Sequence, residues 1–274
     1  MANSPGDHFE SLLSLMARLR GEGGCPWDRE QTRESLKPYL LEEAYEVLDA
    51  IDGGRPDRLR EELGDLLLQI VFHSQLSSER EEFTAGDVVA GLVEKMVRRH
   101  PHVFGDSVAG DAREVLVQWE RIKADERAKN GGPGSALDGV PRPLPALLRA
   151  QRLQEKAGRV GFDWSDSRPA LAKVREEIGE LEDAVAGGDR SRIGDEMGDL
   201  LFSMVNVARL LGVDSEECLR QAADKFTRRF REVEADMRAA GRAVIDATAA
   251  DLDQAWEVVK AREDAAARGS GAGR

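Results

Sequence analysis

Two short acidic motifs, each present twice, constrain this chain more than any other feature. In the first half Glu42, Glu43 and Glu46 are followed by Glu62 and Asp65. In the second half Glu176, Glu177 and Glu180 are followed by Glu196 and Asp199. Glu43 and Glu62 lie 19 positions apart, and so do Glu177 and Glu196. On a helix, residues three apart share a face. Two facing helices that each offer such a pair gather four carboxylates, which repel one another unless a cation lies among them. An all-oxygen set of this kind suits Mg²⁺, with Mn²⁺ as a substitute. One E-x-x-E alone is ordinarily a solvated helix face; equal spacing in both halves argues for more.

The residues around the acids read as helical hairpins. Leu40, Ala44, Val47 and Ile51 form one apolar stripe, with Glu43 and Glu46 on its flank and Glu42 pointing further out. Gly53-Gly54 stops that helix and Pro56 opens the next, whose stripe is Leu59, Leu63, Leu66, Leu67 and Ile70 with Glu62 and Asp65 on the flank. A helix capped by Thr84 and Asp87 then carries Lys95 and Arg99 four residues apart, and a stretch at about 112–129 carries Trp119 and Lys123. The second half repeats the plan. Ser167 is expected to cap the first acidic helix and Gly187-Gly188 to end it. Asp189 caps the second, Asp214 caps a helix with Lys225 and Arg229, and Trp256 and Lys260 lie on the last. The offset between copies is 134 residues for the acids, 130 for the basic pair and 137 for the Trp/Lys pair, as loop-length changes after an internal duplication would give.

No stretch alternates with strand period. The expected fold is all-α: a first module at 8–129, a Gly/Pro-rich linker at 130–145, a second module at 146–263, frayed residues 1–7 and a disordered tail at 264–274. The loop GEGGCPWDREQT places Trp27 beside Pro26, either as a packed plug or as a pocket wall. His100 and His102 flank Pro101 without a third soft ligand, and helix-end packing is the expectation there rather than zinc.

Composition narrows the partners. A formal net charge of −13 makes non-specific nucleic-acid or membrane-surface binding a poor expectation. Cys25 and Cys218 make no disulfide framework. No apolar run reaches spanning length and MANSPGDHFE has no signal-peptide core, so a cytoplasmic protein is expected. A Mg²⁺ site beside Lys and Arg is a polyphosphate site. The G-x-x-x-x-G-K-[ST] nest is missing, so metal and side chains must hold the phosphates.

The E-E-x-x-E and E-x-x-D pattern, together with CPWDREQT, SLKPYLLEEAYEVLDAI, EELGDLLLQIVFHSQ, RRHPHVFG, EKAGRVGFDW and DEMGDLLFSMVNVARLL, resembles the tandem-domain MazG family of nucleoside triphosphate pyrophosphohydrolases over about residues 8–263. The resemblance implies hydrolysis of an NTP or dNTP between the α and β phosphates, Mg²⁺ dependence and a homodimer. It implies Glu177, Glu180, Glu196 and Asp199 as metal ligands, with Glu176 either supporting them from outside the ligand set or acting as a water-orienting base, and Glu43, Glu46, Glu62 and Asp65 as the first-repeat quartet. Lys225, Arg229 and Lys260 would meet phosphate, and Trp256 would pack near the nucleotide. Lys173 and Arg192 each precede a ligand by four residues and can reach the same site; Arg58 matches Arg192, whereas Tyr39 stands where Lys173 would. By the resemblance, catalysis belongs to the second repeat.

Three other readings compete with this one. A ferritin-like di-iron bundle needs Glu-x-x-His, but Asp49 and Asp183 follow Glu46 and Glu180. A non-catalytic nucleotide-binding or protein-interaction module shares the fold. A narrower substrate such as dUTP or phosphoribosyl-ATP fits the superfamily but not the tandem arrangement.

Overall fold

The structure is a computed structural model. It describes residues 4–111 and 135–271, together with 114, 115, 118, 119, 122, 123 and 126, with the backbone alone at 266, 267 and 269–271. The described residues are helices, turns and loops with no strand. They divide into two compact units, Met1–Gly131 and Gly132–Arg274.

The first unit contains α1 (Pro5–Arg20), α2 (Pro26–Glu30), α3 (Lys37–Asp52), α4 (Pro56–Ser78), α5 (Ala85–Arg99) and α6 (Pro101–Phe104). Helix α1 begins inside the stretch expected to be frayed. Ser4 and Asp7 form a reciprocal capping box there, satisfying two amide donors that would otherwise be open. The core joins α1 to α4: Met16, Leu36, Val71, Phe72 and Leu76 are buried, with Phe9, Leu12, Leu13 and Leu68 packed on them. Each such side chain contributes roughly 1.5–3 kcal/mol on full burial. The loop after α1 is tied down by Arg20, whose guanidinium meets both Glu79 carboxylate oxygens and the Asp28 carbonyl.

The second unit contains α7 (Ala146–Arg159), α8 (Ser167–Gly187), α9 (Arg190–Leu210), α10 (Ser215–Ala239), a 3₁₀ turn (Val244–Asp246) and α11 (Ala249–Gly271). Asp166, not Ser167, caps α8: its carboxylate accepts from the Arg168 amide, leaving Ser167 as the first helical residue. Gly188 ends α8 at φ 70°, a left-handed geometry that glycine adopts without a Cβ penalty. Asp189 and Asp214 cap α9 and α10 as expected. The buried Gln151 oxygen accepts from both the amide and the hydroxyl of Ser215, fastening α7 to the start of α10. A core of Val233, Met237 and Val259 closes α10 on α11.

Two expected boundaries meet different structure. Residues 130–134 of the linker lie outside the described residues, but from Ser135 the chain forms turns that belong to the second unit, and the Asp138 carbonyl accepts from Lys156. Helix α11 runs to Gly271, into the segment expected as a tail, because Ala265–Ala267 and Arg268 are strong helix formers. Most of 112–129 lies outside the described residues; Trp119 and Lys123 within it are helical.

Candidate metal and nucleotide site

Helices α8 and α9 pack along each other as an antiparallel hairpin, and α3 and α4 do the same. This apposition carries the acids of each motif across to those of the other. In the second unit one oxygen each from Glu177, Glu196 and Asp199 lie within 4.8 Å of one another. Glu177 is buried, Glu196 half-buried and Asp199 exposed, so the cluster opens to solvent on the Asp199 side. Glu180 stands at its edge, its carboxyl pushed above the usual range by burial and by Glu177, Glu196 and Glu176, and pulled back by Lys173.

Lys173 lies one turn before the acids and bridges Glu176 at 2.8 Å and Glu177 at 2.7 Å. Those two carboxylates raise its pKa, which keeps it charged at any physiological pH. Arg192 reaches Glu196 at 3.2 Å. The second oxygen of Glu177, Oε2, is buried and has no hydrogen-bond partner. A buried carboxylate oxygen left unpaired in a protein is costly, and a hard cation satisfies it. Oxygens gathered within 4.8 Å of one another are near enough to close on one small hard cation. The residues present therefore fit a divalent cation with oxygen ligands.

The first unit repeats the cluster. Glu43, Glu62 and Asp65 also place oxygens within 4.8 Å, with Glu62 buried and paired to Arg58 at 2.9 Å. Glu43 is raised by burial first and then by Asp65, Glu46, Glu42 and Glu62. Glu46 is raised mainly by Glu62, against whose carboxyl it stands. Glu42 is exposed, as its angle on the stripe required.

A cavity of about 780 Å³ in the second unit takes Lys173, Glu177 and Asp199 into its wall. Past Asp199, Phe202, Ser203, Asn206 and Arg209 of α9 continue that wall at helical spacing. Opposite them come Leu153 and Gln154 of α7, the loop residues Phe162, Asp163 and Trp164, and Leu137 from the stretch read as linker. The loop is clamped by Asp163, whose carboxylate accepts from Arg209 Nη1 at 2.9 Å and Nη2 at 2.5 Å, and this holds the carboxyl below its usual range. Gly158 makes the clamp possible: a Cβ there would lie 2.7 Å from Asp163 Oδ2.

The sequence reading found the acids and Lys173 but missed Gln154, Asn206, Arg209 and Leu137. The available signal was the i, i+3, i+7, i+10 spacing of Phe202, Asn206 and Arg209 after Asp199, which continues the acidic face. The remaining predicted residues lie elsewhere in this unit. Arg229 pairs with Glu263 at 2.7 Å and lies over the Trp256 ring, Lys260 pairs with Glu257 at 2.8 Å, and Lys225 is exposed on α10. None of Arg192, Lys225, Arg229, Trp256 and Lys260 lines the cavity. In the first unit His100 packs edge-on to Trp119 at 5.0 Å and bonds the Met96 carbonyl at 2.6 Å, while His102 meets Gln118 at 3.2 Å. That is the helix-end packing expected of them.

A family model described as the MazG nucleotide pyrophosphohydrolase domain matches residues 31–104 and 167–233, stretches that contain both carboxylate hairpins. The chain is 48% identical over 260 residues to the nucleoside triphosphate pyrophosphohydrolase of Escherichia coli (strain K12), covering 94% of this chain and 98% of that one. It is 46% identical over 256 residues to the nucleoside triphosphate pyrophosphohydrolase/pyrophosphatase MazG of Thermotoga maritima, covering 93% and 97%. It is 45% identical over 256 residues to the YabN protein of Bacillus subtilis (strain 168), covering 93% of this chain and 52% of that one.

Proposed function

Because the chain belongs to the MazG nucleotide pyrophosphohydrolase family, we propose that it hydrolyses nucleoside triphosphates, ribo or deoxy, between the α and β phosphates, releasing NMP and pyrophosphate with Mg²⁺ as cofactor and Mn²⁺ as substitute. One observation carries the reading: Glu177, with its unpaired buried oxygen, lines the same cavity as Asp199, Lys173 and the aromatic residues Phe162, Trp164 and Phe202. Metal, phosphate and base each find suitable chemistry within that one cavity.

Glu177, Glu196 and Asp199 would hold the ion, with Glu180 beside them. When bound, the ion supplies positive charge for the phosphate oxygens and a water of lowered pKa. Glu176, exposed beside Glu177 and paired with Lys173, would take a proton from the attacking water. Water then bonds to the α-phosphorus, the α–β anhydride bond breaks, and pyrophosphate leaves. Lys173 and Arg192, which pair with Glu176 and Glu196, would neutralise the triphosphate. Hydrolysis of ATP in ¹⁸O-water with product analysis tests the reading: the label is expected in AMP. Label in free phosphate, with ADP as coproduct, would mean attack at the γ phosphate and overturn it.

The homodimer of the sequence reading has its own support. Leu171, Ile178 and Val185 on α8 are exposed at seven-residue intervals, as are Met197 and Met204 on α9 and Leu211 at its C-cap. Heptad stripes of this kind close on a second helix pair. Lys225, Arg229, Trp256 and Lys260, which lie off the cavity in one chain, would then meet phosphate across the bundle. Light scattering coupled to size exclusion is expected to give twice the chain mass, and a monomer at micromolar concentration would remove this part of the proposal. No helix among the described residues is long and apolar enough to cross a membrane. The proposed enzyme is cytoplasmic and acts on nucleotides, since a net charge of −13 disfavours a nucleic-acid polymer.

A further inference from the structure

We propose that Gln154 determines how the nucleobase is read: its side-chain oxygen accepts a hydrogen bond from an amino or imino N–H on the base edge. The proposal rests on the pyrophosphohydrolase reading of the cavity and adds to it the residue that recognises the base.

Gln154 is 6% exposed, yet it lines the cavity that holds Lys173, Glu177 and Asp199. Its Nε2 donates to the Phe202 carbonyl at 2.8 Å. A backbone carbonyl only accepts, so the amide cannot turn over without setting oxygen against oxygen. The orientation of Gln154 is therefore fixed, with nitrogen toward α9 and oxygen away from it. That oxygen, Oε1, is buried and has no donor. A buried amide oxygen with no partner is uncommon and destabilising in a native protein. In a ligand cavity it marks a place for a ligand donor.

The surroundings say which donor. Phe162 is 83% exposed and Trp164 41% exposed, and both line the same cavity. Flat apolar rings left open beside an unpaired acceptor suit a stacked heteroaromatic base rather than a sugar or phosphate. The Phe202 carbonyl that anchors Gln154 lies three residues, or about 4.5 Å along the helix axis, beyond Asp199. A base at Gln154 thus lies close enough for its phosphates to reach the carboxylates. Asn206 supplies the opposite polarity. Its oxygen accepts from Arg209 Nε at 2.9 Å and Nη2 at 2.7 Å, so its amide N–H groups point away from Arg209. A fixed acceptor on α7 and a fixed donor on α9, both lining the cavity, match the paired donor and acceptor that every common base carries, which gives a general base reader.

The test compares ATP with purine riboside 5′-triphosphate, which keeps the ring but has no amino group, and with 2′,3′-dideoxyATP, which keeps the base but loses the sugar hydroxyls. Each is measured on the wild-type protein and on Gln154→Met, by kcat/KM for pyrophosphate release and by quenching of tryptophan fluorescence as a direct binding readout. Wild type is expected to prefer ATP over purine riboside triphosphate by about tenfold, the effect of one lost hydrogen bond to a buried acceptor. In Gln154→Met that preference should collapse to near unity, with the dideoxy ratio unchanged. A purely structural role would weaken all three nucleotides equally and keep the preference, which overturns the proposal. So does a wild-type preference near unity, or a Gln154→Met effect confined to the dideoxy ratio. If the wild type releases no pyrophosphate from any nucleotide, the pyrophosphohydrolase reading fails, and the binding ratios still decide whether Gln154 reads the base.

Discussion

Set side by side at the 134-residue offset, the hairpins α3–α4 and α8–α9 differ less in their acids than in what lies next to them. Asp199, Phe202, Ser203, Asn206 and Arg209 form one wall of a cavity. The matching residues are Asp65, Leu68, Gln69, Phe72 and Gln75. Phe72 is 3% exposed and, with Leu68, packs against Met16 and Leu36. Where the second unit leaves space along its acid-bearing helix, the first fills it with core. The cations differ too. Lys173 bridges Glu176 and Glu177, whereas Tyr39 at the matching position packs edge-on to Trp27 at 5.8 Å. Duplicated acids therefore do not imply duplicated function. The first cluster has the ligands for an ion but neither the lysine nor the room for a base beside it, and we propose that it binds metal without turning over nucleotide.

The sharpest way to break this comparison is to remove a ligand from each unit in turn. Glu177→Ala is expected to lower kcat/KM at least about 100-fold, since even residues that only support a metal ligand contribute 10–100-fold. Glu43→Ala is expected to leave most of the activity, and EDTA to abolish it in both backgrounds. Equal losses from Glu43→Ala and Glu177→Ala would mean that both clusters work and that the filled α4 face is no barrier.

A smaller effect isolates the cation. Lys173→Met removes one charge-assisted contact of roughly 1.5–3 kcal/mol, or about tenfold or more in rate. Tyr39→Lys should not give the first unit activity in a Glu177→Ala background, because Phe72 and Leu68 still occupy the wall. Turnover restored by Tyr39→Lys would show that charge alone separates the units.

The loop clamp comes next. Arg209→Met leaves Asp163 without its guanidinium. At a cost of about 2 kcal/mol, the second unit should melt about 4–8 °C lower, with KM raised because Phe162 and Trp164 lose their support. Gly158→Ala should act in the same direction by pushing Asp163 off Arg209. An unchanged melting temperature in both variants would mean that the clamp is idle.

How much of this was legible in the sequence follows from the range of each interaction. Helix-local signals were readable. Thr84 with Asp87, Asp189 and Asp214 each cap within three residues, and three of the four acids expected in each cluster gather within 4.8 Å. What escaped depends on contacts far apart in the chain. Gln154 meets Phe202 across 48 positions and Asp163 meets Arg209 across 46, and no periodicity encodes either pairing. Leu137 was read as linker because Gly and Pro surround it, and composition carries no information about a wall that one leucine completes. The filled α4 face was equally hidden: Phe72 and Asn206 both sit at ordinary helical spacing, and only the packing of α1 against α4 separates them.

The smallest effect tests a place where the two units agree. Arg98 and Arg99 hold Glu126 at 2.8 and 2.7 Å in the first unit, and Arg228 and Arg229 hold Glu263 at 2.9 and 2.7 Å in the second. Both carboxyls are shifted down by these arginines, Glu126 to about 2 from an ordinary 4.5. A depressed acid binds its proton more weakly in the folded state than in the unfolded one. The stability it contributes is complete above pH 4.5 and is lost as pH falls toward 2. The clusters at Glu43, Glu46 and Glu180 act in the opposite sense: their raised carboxyls take up protons on folding, so acid relieves their repulsion in metal-free protein. Glu126→Gln should therefore flatten the acid limb of the first unit's stability curve, and Glu263→Gln that of the second. At neutral pH Glu126→Gln should cost about 0.2–1 kcal/mol, the scale of partly exposed ion pairs, and Glu263→Gln should destabilise in the same direction. Urea melts in EDTA at pH 7 and pH 3 read both effects. A wild-type-like drop in stability between those pH values in Glu126→Gln would assign the acid sensitivity to other groups and remove this point of agreement between the units.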